Sequence, residues 1–324
     1  MTFVRIVNER ILAEEHANER INIVSAKSIL KAAEAGDLEY LTKAVNTVEL
    51  CNIEDTMTMM TQSDKKGRQP LHLASMNGHI HIARLFWKVI LESFQDKYTR
   101  SEYLDVQDNK GRTPLFYAAA GGYVNICHYL LERDADTEIS TNGNHSAPGS
   151  TPLMAAAEKN KADCFDLLLR KGADVIAERK DKADSLYLAA RNGNTAIVKT
   201  IVKSKRLILL LSRSSFHGRN ALITAALHGH LDACKELHAR GFDINHQDDD
   251  KFTALIYATN AGHFDIVRWI LKNNANVYLK DKYGATAWDN AVASGYMEIA
   301  HFLREWRENI EQEEQIKENK RRKA

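Results

Sequence analysis

Several features that would point to chemistry or compartment are scarce here. Four cysteines stand in 324 residues, at Cys51, Cys127, Cys164 and Cys234, with no Cys-x-x-Cys pair. They are too few and too scattered for a disulfide framework, which favours a reducing compartment, cytoplasmic or nuclear. No long apolar run occurs, so no membrane span is expected. The opening stretch, MTFVRIVNERILAEEHANER, lacks the apolar core and small-residue cleavage site of a signal peptide. Charge of one sign is missing too: 44 basic and 43 acidic residues leave a net charge of +1. Bulk charge therefore selects no class of partner, and no broad basic face for nucleic acid is expected. No GxxxxGK[ST], HExxH, GxSxG or GxGxxG stands in a plausible context. No catalytic residue, metal or cofactor is expected, and the chain reads as a non-enzyme.

What the chain does have is a repeat. One pattern recurs: a leucine-like residue, two positions, a small pair, two more, then glycine. It begins at Ile29, Leu71, Leu115, Leu153, Leu186, Leu222, Leu255 and Trp288, and the last four starts are 36, 33 and 33 residues apart. Of only four prolines, Pro70, Pro114 and Pro152 take the same place in it. Proline suits the first turn of a helix, where its missing N–H has no partner anyway. The small pair lets neighbouring helices approach, and the glycine ends the helix in a left-handed cap. A second amphipathic helix follows, as at 126–131 and 266–271. Such a pair cannot bury its apolar stripes alone, so about eight pairs must stack around one continuous core. Cys127, Cys164 and Cys234 fall in the apolar stripes of second helices and read as packing residues.

The sequence resembles the ankyrin-repeat family over roughly 26–304. Arg112-Thr113-Pro114-Leu115, Gln69-Pro70-Leu71-His72 and Ser150-Thr151-Pro152-Leu153 match its Thr-Pro-Leu-His signature. Asn77-Gly78-His79, His228-Gly229-His230 and Ala261-Gly262-His263 match its turn, and Lys171-Gly172-Ala173-Asp174 and Arg240-Gly241-Phe242-Asp243 match its link between repeats. Asn160 replaces one turn glycine, and Trp288 replaces the last leucine. The resemblance implies an all-α solenoid of helix-turn-helix repeats joined by short β-hairpin loops. It makes His72, His79, His230 and His263 structural rather than catalytic. It gives Asp174 and Asp243 a hydrogen-bonding role at the link.

The resemblance also implies where partners sit: on hairpin tips and on the exposed start and end of each first helix. Those positions are Lys65, Lys66, Arg68, Met76 and Asn77, then Asn109, Lys110 and Arg112, then Glu158 and Lys159. Arg191 and Asn192 follow, then Phe216, His217, Arg219, Leu227 and His228, and finally Asp249, Asp250, Phe252, Asn260 and Tyr283. Early tips are basic, and the tip at Asp248, Asp249 and Asp250 is acidic. A partner with an acidic segment near repeats two and three, and an apolar or basic segment near six and seven, is the expectation. Asn245 occupies the link position that cytosolic asparaginyl hydroxylases modify in this family, so it is a candidate for hydroxylation.

Three segments are expected: an N-terminal helical segment over 1–25, a repeat domain over 26–304, and a charged helix or tail over 305–324. Within the array, 82–98 reads as an extended second helix and 140–150 as a flexible loop. The apolar run Leu207 to Leu211 reads as packing under its repeat, with a docking patch as the alternative. Lys320 to Lys323 form a basic cluster, read as a solvated tail, with a nuclear-import signal or contact with an anionic surface as alternatives. The leading functional expectation is a monomeric scaffold or adaptor that holds one or more proteins. The alternatives are a secreted, host-directed effector of an intracellular bacterium, and an enzyme hidden in the insertions.

Overall fold

Threonine, asparagine or aspartate precedes most first helices, and each caps one. Thr113, Thr151, Asp184, Asn220 and Thr253 accept the N–H groups of Phe116, Met154, Tyr187, Ile223 and Ile256 at 2.8–3.3 Å. Each satisfies one N–H that a helix start leaves unpaired. The Thr-Pro of the sequence is thus a cap followed by a proline at the first helical position.

The computed structural model describes residues 26–49, 59–93, 102–142, 148–204, 210 and 217–323. Two compact units divide at 174/175. The first holds four helix pairs: α1 (Ala26–Ala35) with α2 (Leu38–Glu49), α3 (Pro70–Asn77) with α4 (Ile80–Ser93), α5 (Pro114–Gly121) with α6 (Val124–Leu131), and α7 (Pro152–Glu158) with α8 (Ala162–Arg170). The second holds α9 (Ser185–Arg191) with α10 (Thr195–Val202), α11 (Ala221–Leu227) with α12 (Leu231–His238), α13 (Ala254–Asn260) with α14 (Phe264–Lys272), and α15 (Ala287–Ala293) with α16 (Met297–Lys323). The N-terminal segment expected at 1–25 lies outside the described residues. The boundary expected at 304/305 falls inside α16. The extended second helix is present as α4, 14 residues long and described to Ser93.

Within each unit, first helices pack on first helices and second on second. The small pair makes this possible: Ala118, Ala119, Ala156, Ala189, Ala190, Ala225 and Ala226 are wholly buried. The core of second helices is Ile82, Phe86, Ile126, Leu130, Phe165 and Leu168 in the first unit and Ile197, Ile201, Leu237, Val267 and Ile270 in the second. Cys127, Cys164 and Cys234 are buried free thiols among them. The Cys127 S–H donates to Cys164 Sγ at 3.7 Å, and that bond together with burial pushes its pKa up. Leu210 is buried, and the rest of the 207–211 run lies outside the described residues.

Positive φ recurs at fixed turn positions of the repeat. Asn160, standing where other repeats carry the turn glycine, has φ 54°, as its short polar side chain permits. At the tips Gly111 (φ 73°) has its counterpart in Lys251 (φ 62°). No strand forms among the described residues, so the expected β-hairpins close as turns. The reason is an aspartate. Asp108 Oδ1 accepts from Lys110 N and Arg112 N at 2.8 and 2.9 Å, and Asp64, Asp248 and Asp281 repeat the arrangement. The N–H groups a ladder would use go to a carboxylate instead.

Candidate interaction surface

Tips are stitched to tips. Asn109 N donates to Lys66 O at 3.0 Å and Asn109 Nδ2 to Lys65 O at 3.2 Å; Asn142 N donates to Lys110 O at 2.9 Å. In the second unit Asp249 N donates to His217 O at 3.2 Å and Lys282 N to Asp250 O at 2.9 Å. Side chains on these tips are therefore held in register.

The expected contact residues fall into two groups. In the first unit Arg68 is half-buried, with Nε 2.8 Å from Asp64 Oδ2 and Nη1 3.4 Å from Met76 Sδ. Burial pushes the Asp64 pKa up, but the Arg68 guanidinium and two backbone N–H groups outweigh it and hold the carboxyl below its ordinary value. Arg112 stands 3.6 Å from Asp108 and 5.3 Å over the Tyr117 ring. The Tyr117 hydroxyl donates to Asp108 Oδ2 at 2.7 Å. Lys65, Lys66, Lys110 and Lys159 are exposed, and Glu158 is half-buried. Asn77 turns inward, donating to Leu73 O at 2.9 Å.

The second unit builds the same motif from other residues. Tyr257 donates to Asp248 Oδ2 at 2.7 Å. Arg219, one repeat earlier, donates through Nε to the Tyr257 hydroxyl at 3.0 Å and lies 5.1 Å over its ring. Burial and the Asp248 carboxylate push the Tyr257 pKa up to about 12. The Phe252 ring lies 5.1 Å from that of Tyr257. Tyr283 is 77% exposed, with the Lys282 ammonium 5.0 Å over its ring. Arg191, His217 and His228 are exposed, while Leu227 and Asn260 are half-buried. Asn192 turns back on Leu188 O. Phe216 lies outside the described residues.

The acidic tip needs correcting. Asp248 is buried against Tyr257, two backbone N–H groups and Arg219 at 3.6 Å. Asp250 is paired with Lys282 at 2.9 Å, which raises the lysine's pKa. Asp249 alone of the three is exposed and outside an ion pair among the described residues. Tyr117, Tyr257 and Lys282 were missed by the sequence reading. For the two tyrosines the signal was their place nine residues after a tip aspartate.

The remaining motifs have structural partners. His79, His230 and His263 each point Nε2 at a carbonyl in the previous first helix, at 3.0–3.2 Å. Asn245 is half-buried, its Oδ1 accepting Asn276 N at 2.7 Å. Among the described residues no group of three His, Cys, Asp or Glu could hold a metal, and no helix is long and apolar enough to cross a membrane.

The two units thus define a class: stacked helix-turn-helix repeats with aspartate-closed tips. A model for ankyrin repeats (3 copies) matches residues 29–142, 138–208, 153–248 and 222–314, and the chain belongs to the ankyrin-repeat family. Ankyrin repeats are protein–protein interaction modules, and the family is generally non-enzymatic. Similar proteins include the ankyrin repeat and KH domain-containing protein mask-1 of Caenorhabditis elegans, 34% identical over 54% of this chain and 6% of its own length. The putative ankyrin repeat protein YahD of Escherichia coli is 27% identical over 48% of this chain and 79% of its own length. The phosphocholine transferase AnkX of Legionella pneumophila is 29% identical over 48% and 15%. The chain spans 6% and 15% of the first two curated relatives it matches.

Proposed function

We propose that the chain is a scaffold or adaptor that holds protein partners on the tip and first-helix edge of each unit. One observation carries this reading. Arg68, Arg112, Arg219, Phe252, Tyr257 and Met76 are only half-buried, yet hydrogen bonds, ring contacts and a sulfur contact fix them. Arginine and aromatic side chains are the commonest interface anchors. Anchors already ordered in the free protein lose less entropy on binding. The second-helix side carries fixed rings as well, with Arg133 3.5 Å over Tyr129 and His238 5.7 Å from Trp269, alongside exposed charges such as Lys272, Glu132 and Asp163; the stitching of tip to tip is what favours the other edge.

The test compares two variants in quantitative affinity purification from cells. Arg112→Ala/Tyr283→Ala removes edge anchors; Glu132→Ala/Lys272→Ala removes charges on second helices. Loss of captured proteins with the first variant and retention with the second is the expected result. Equal retention by both would sink the reading.

A further inference from the structure

We infer that the tip edge of the first unit takes an extended, acidic segment of a partner protein, with carboxylates at every third position. This rests on the scaffold reading and adds the chemistry of one partner.

Five cations, Lys65, Lys66, Arg68, Lys110 and Arg112, share two neighbouring tips with two carboxylates, Asp64 and Asp108. Both carboxylates are turned to the protein: Asp64 holds Arg68 and two backbone N–H groups, and Asp108 is buried against the Tyr117 hydroxyl and two more. Lys65 and Lys66 are exposed and form no ion pair with any described residue. The Arg112 guanidinium lies beyond hydrogen-bond length from Asp108 while the Tyr117 ring fixes its plane. Its side chain stays partly exposed, and a guanidinium fork suits carboxylates. Half-buried Met76 touches Arg68, and half-buried Phe116 lies against the Tyr117 ring, adding apolar surface beside the cations.

The later tips of the second unit carry no such excess: Asp250 pairs with Lys282 at 2.9 Å, and Arg219 is held by Tyr257 and Asp248. Its tip at 179–182 leaves Lys180 and Lys182 exposed, with Arg179 held by Asp181, but the tip that follows it adds no unheld cation among the described residues. Two neighbouring basic tips, stitched together, are what set the first unit's edge apart.

Spacing follows from the stitching. Asn109 ties the two tips through Lys66 O and Lys65 O, so they lie one repeat apart. Packed helices stand about 8–10 Å apart, and a chain extended as polyproline II rises about 3.1 Å per residue with three residues per turn, which puts every third side chain on one face. Acidic side chains three residues apart would thus meet successive tips. A narrow strip suits a peptide; a duplex would need a broader basic face.

Fluorescence anisotropy with the full chain tests this. The probes are a labelled peptide with glutamate at every third position in a glycine–serine background, the same peptide with glutamine instead, and one with the same glutamates at every second position. A single-stranded oligonucleotide of equal charge is the fourth. The third-position glutamate peptide should bind best. Binding should weaken with salt, and by about tenfold in Lys65→Glu/Lys66→Glu. Lys282→Glu, in the second unit, should leave it unchanged. Circular dichroism checks that both variants keep their helices, and Lys65→Ala/Lys66→Ala serves if the double reversal does not. Equal binding of the glutamine or second-position peptide, tighter binding of the oligonucleotide, or an unmoved lysine variant would each overturn the inference. The scaffold reading would survive any of these, because its own test reads capture lost with Arg112 and Tyr283.

Discussion

In the first unit Asp108 holds Tyr117 at 2.7 Å, and Gln107 Nε2 reaches Gly111 O and Ser140 O. In the second, Asp248 holds Tyr257 at the same 2.7 Å, and Gln247 Nε2 reaches Lys251 O and Lys280 O. The frame is the same; what differs is the residue four places after the aspartate. It is Arg112 in one unit and Phe252 in the other, so one offers a cation and the other a ring. The cation over Tyr257 comes instead from Arg219, one repeat earlier. The lesson is that turn closure and surface chemistry are separable. Backbone N–H groups and an aspartate close the tip, leaving the fourth position free to vary.

The largest test asks whether the two units are independent. Phe86 and Leu237 occupy the same place in their second helices, and both are wholly buried. Phe86→Ala should cost the first unit about 3–5 kcal/mol and Leu237→Ala should cost the second about 2–5 kcal/mol. In a stacked array each repeat touches only its neighbours, so the loss should stay local. Hydrogen exchange read segment by segment should show α3–α6 opening in the first variant and α11–α14 in the second. Uniform loss of protection along the chain would contradict the division at 174/175.

A smaller test asks whether the frame is shared. Asp108→Ala and Asp248→Ala each strand a tyrosine hydroxyl and two backbone N–H groups. Unmet polar groups of this kind cost about 1–3 kcal/mol. Chemical denaturation should give similar losses for the two variants. A difference beyond about 1 kcal/mol would mean that Arg112 and Phe252 take part in closing their tips after all.

How much of this could be read in the sequence depended on the range of the interaction. The helix starts, the alanine pairs and the left-handed turns are local, and Pro114, Ala118-Ala119 and Asn160 announced them correctly. The role of the tip aspartates in closing their turns was not read, since it depends on which N–H groups the carboxylate reaches. Charge was the least legible. Asp248, Asp249 and Asp250 read as an anionic tip, but the groups that neutralise the first and last are Arg219 and Lys282, which stand 29 and 32 residues away. Tyr117 and Tyr257 were passed over because a tyrosine inside an apolar helix looks like core until its hydroxyl is given a partner.

The smallest effect concerns pH and one unit only. His72 is wholly buried, its Nδ1 accepting Gln69 N–H at 3.0 Å and its Nε2 3.0 Å from both Val106 O and Arg112 O. A ring that accepts at Nδ1 must carry its proton on Nε2, where two carbonyls take it. Burial depresses the pKa below 6.5, and Arg68 acts in the same direction; the carbonyls and Asp108 pull the other way without prevailing. The unfolded chain therefore takes up a proton at higher pH than the folded one. Stability is complete above about pH 6.5 and falls as pH drops through the window below it, by at most about 1.4 kcal/mol per pH unit. In the second unit Ile223 and Ile256 stand at the same helix position, so it lacks this buried imidazole. Denaturant midpoints followed between about pH 7.5 and 5, with probes in each unit, should slope in the first unit and flatten in His72→Gln. The depressed Asp64 carboxyl also favours folding above its titration, but its contribution disappears only near or below about pH 4, so the two are separable. A slope that survives His72→Gln, or appears equally in the second unit, would assign the acid sensitivity to another group, with the partly buried His230, whose pKa burial also lowers, as the first to examine.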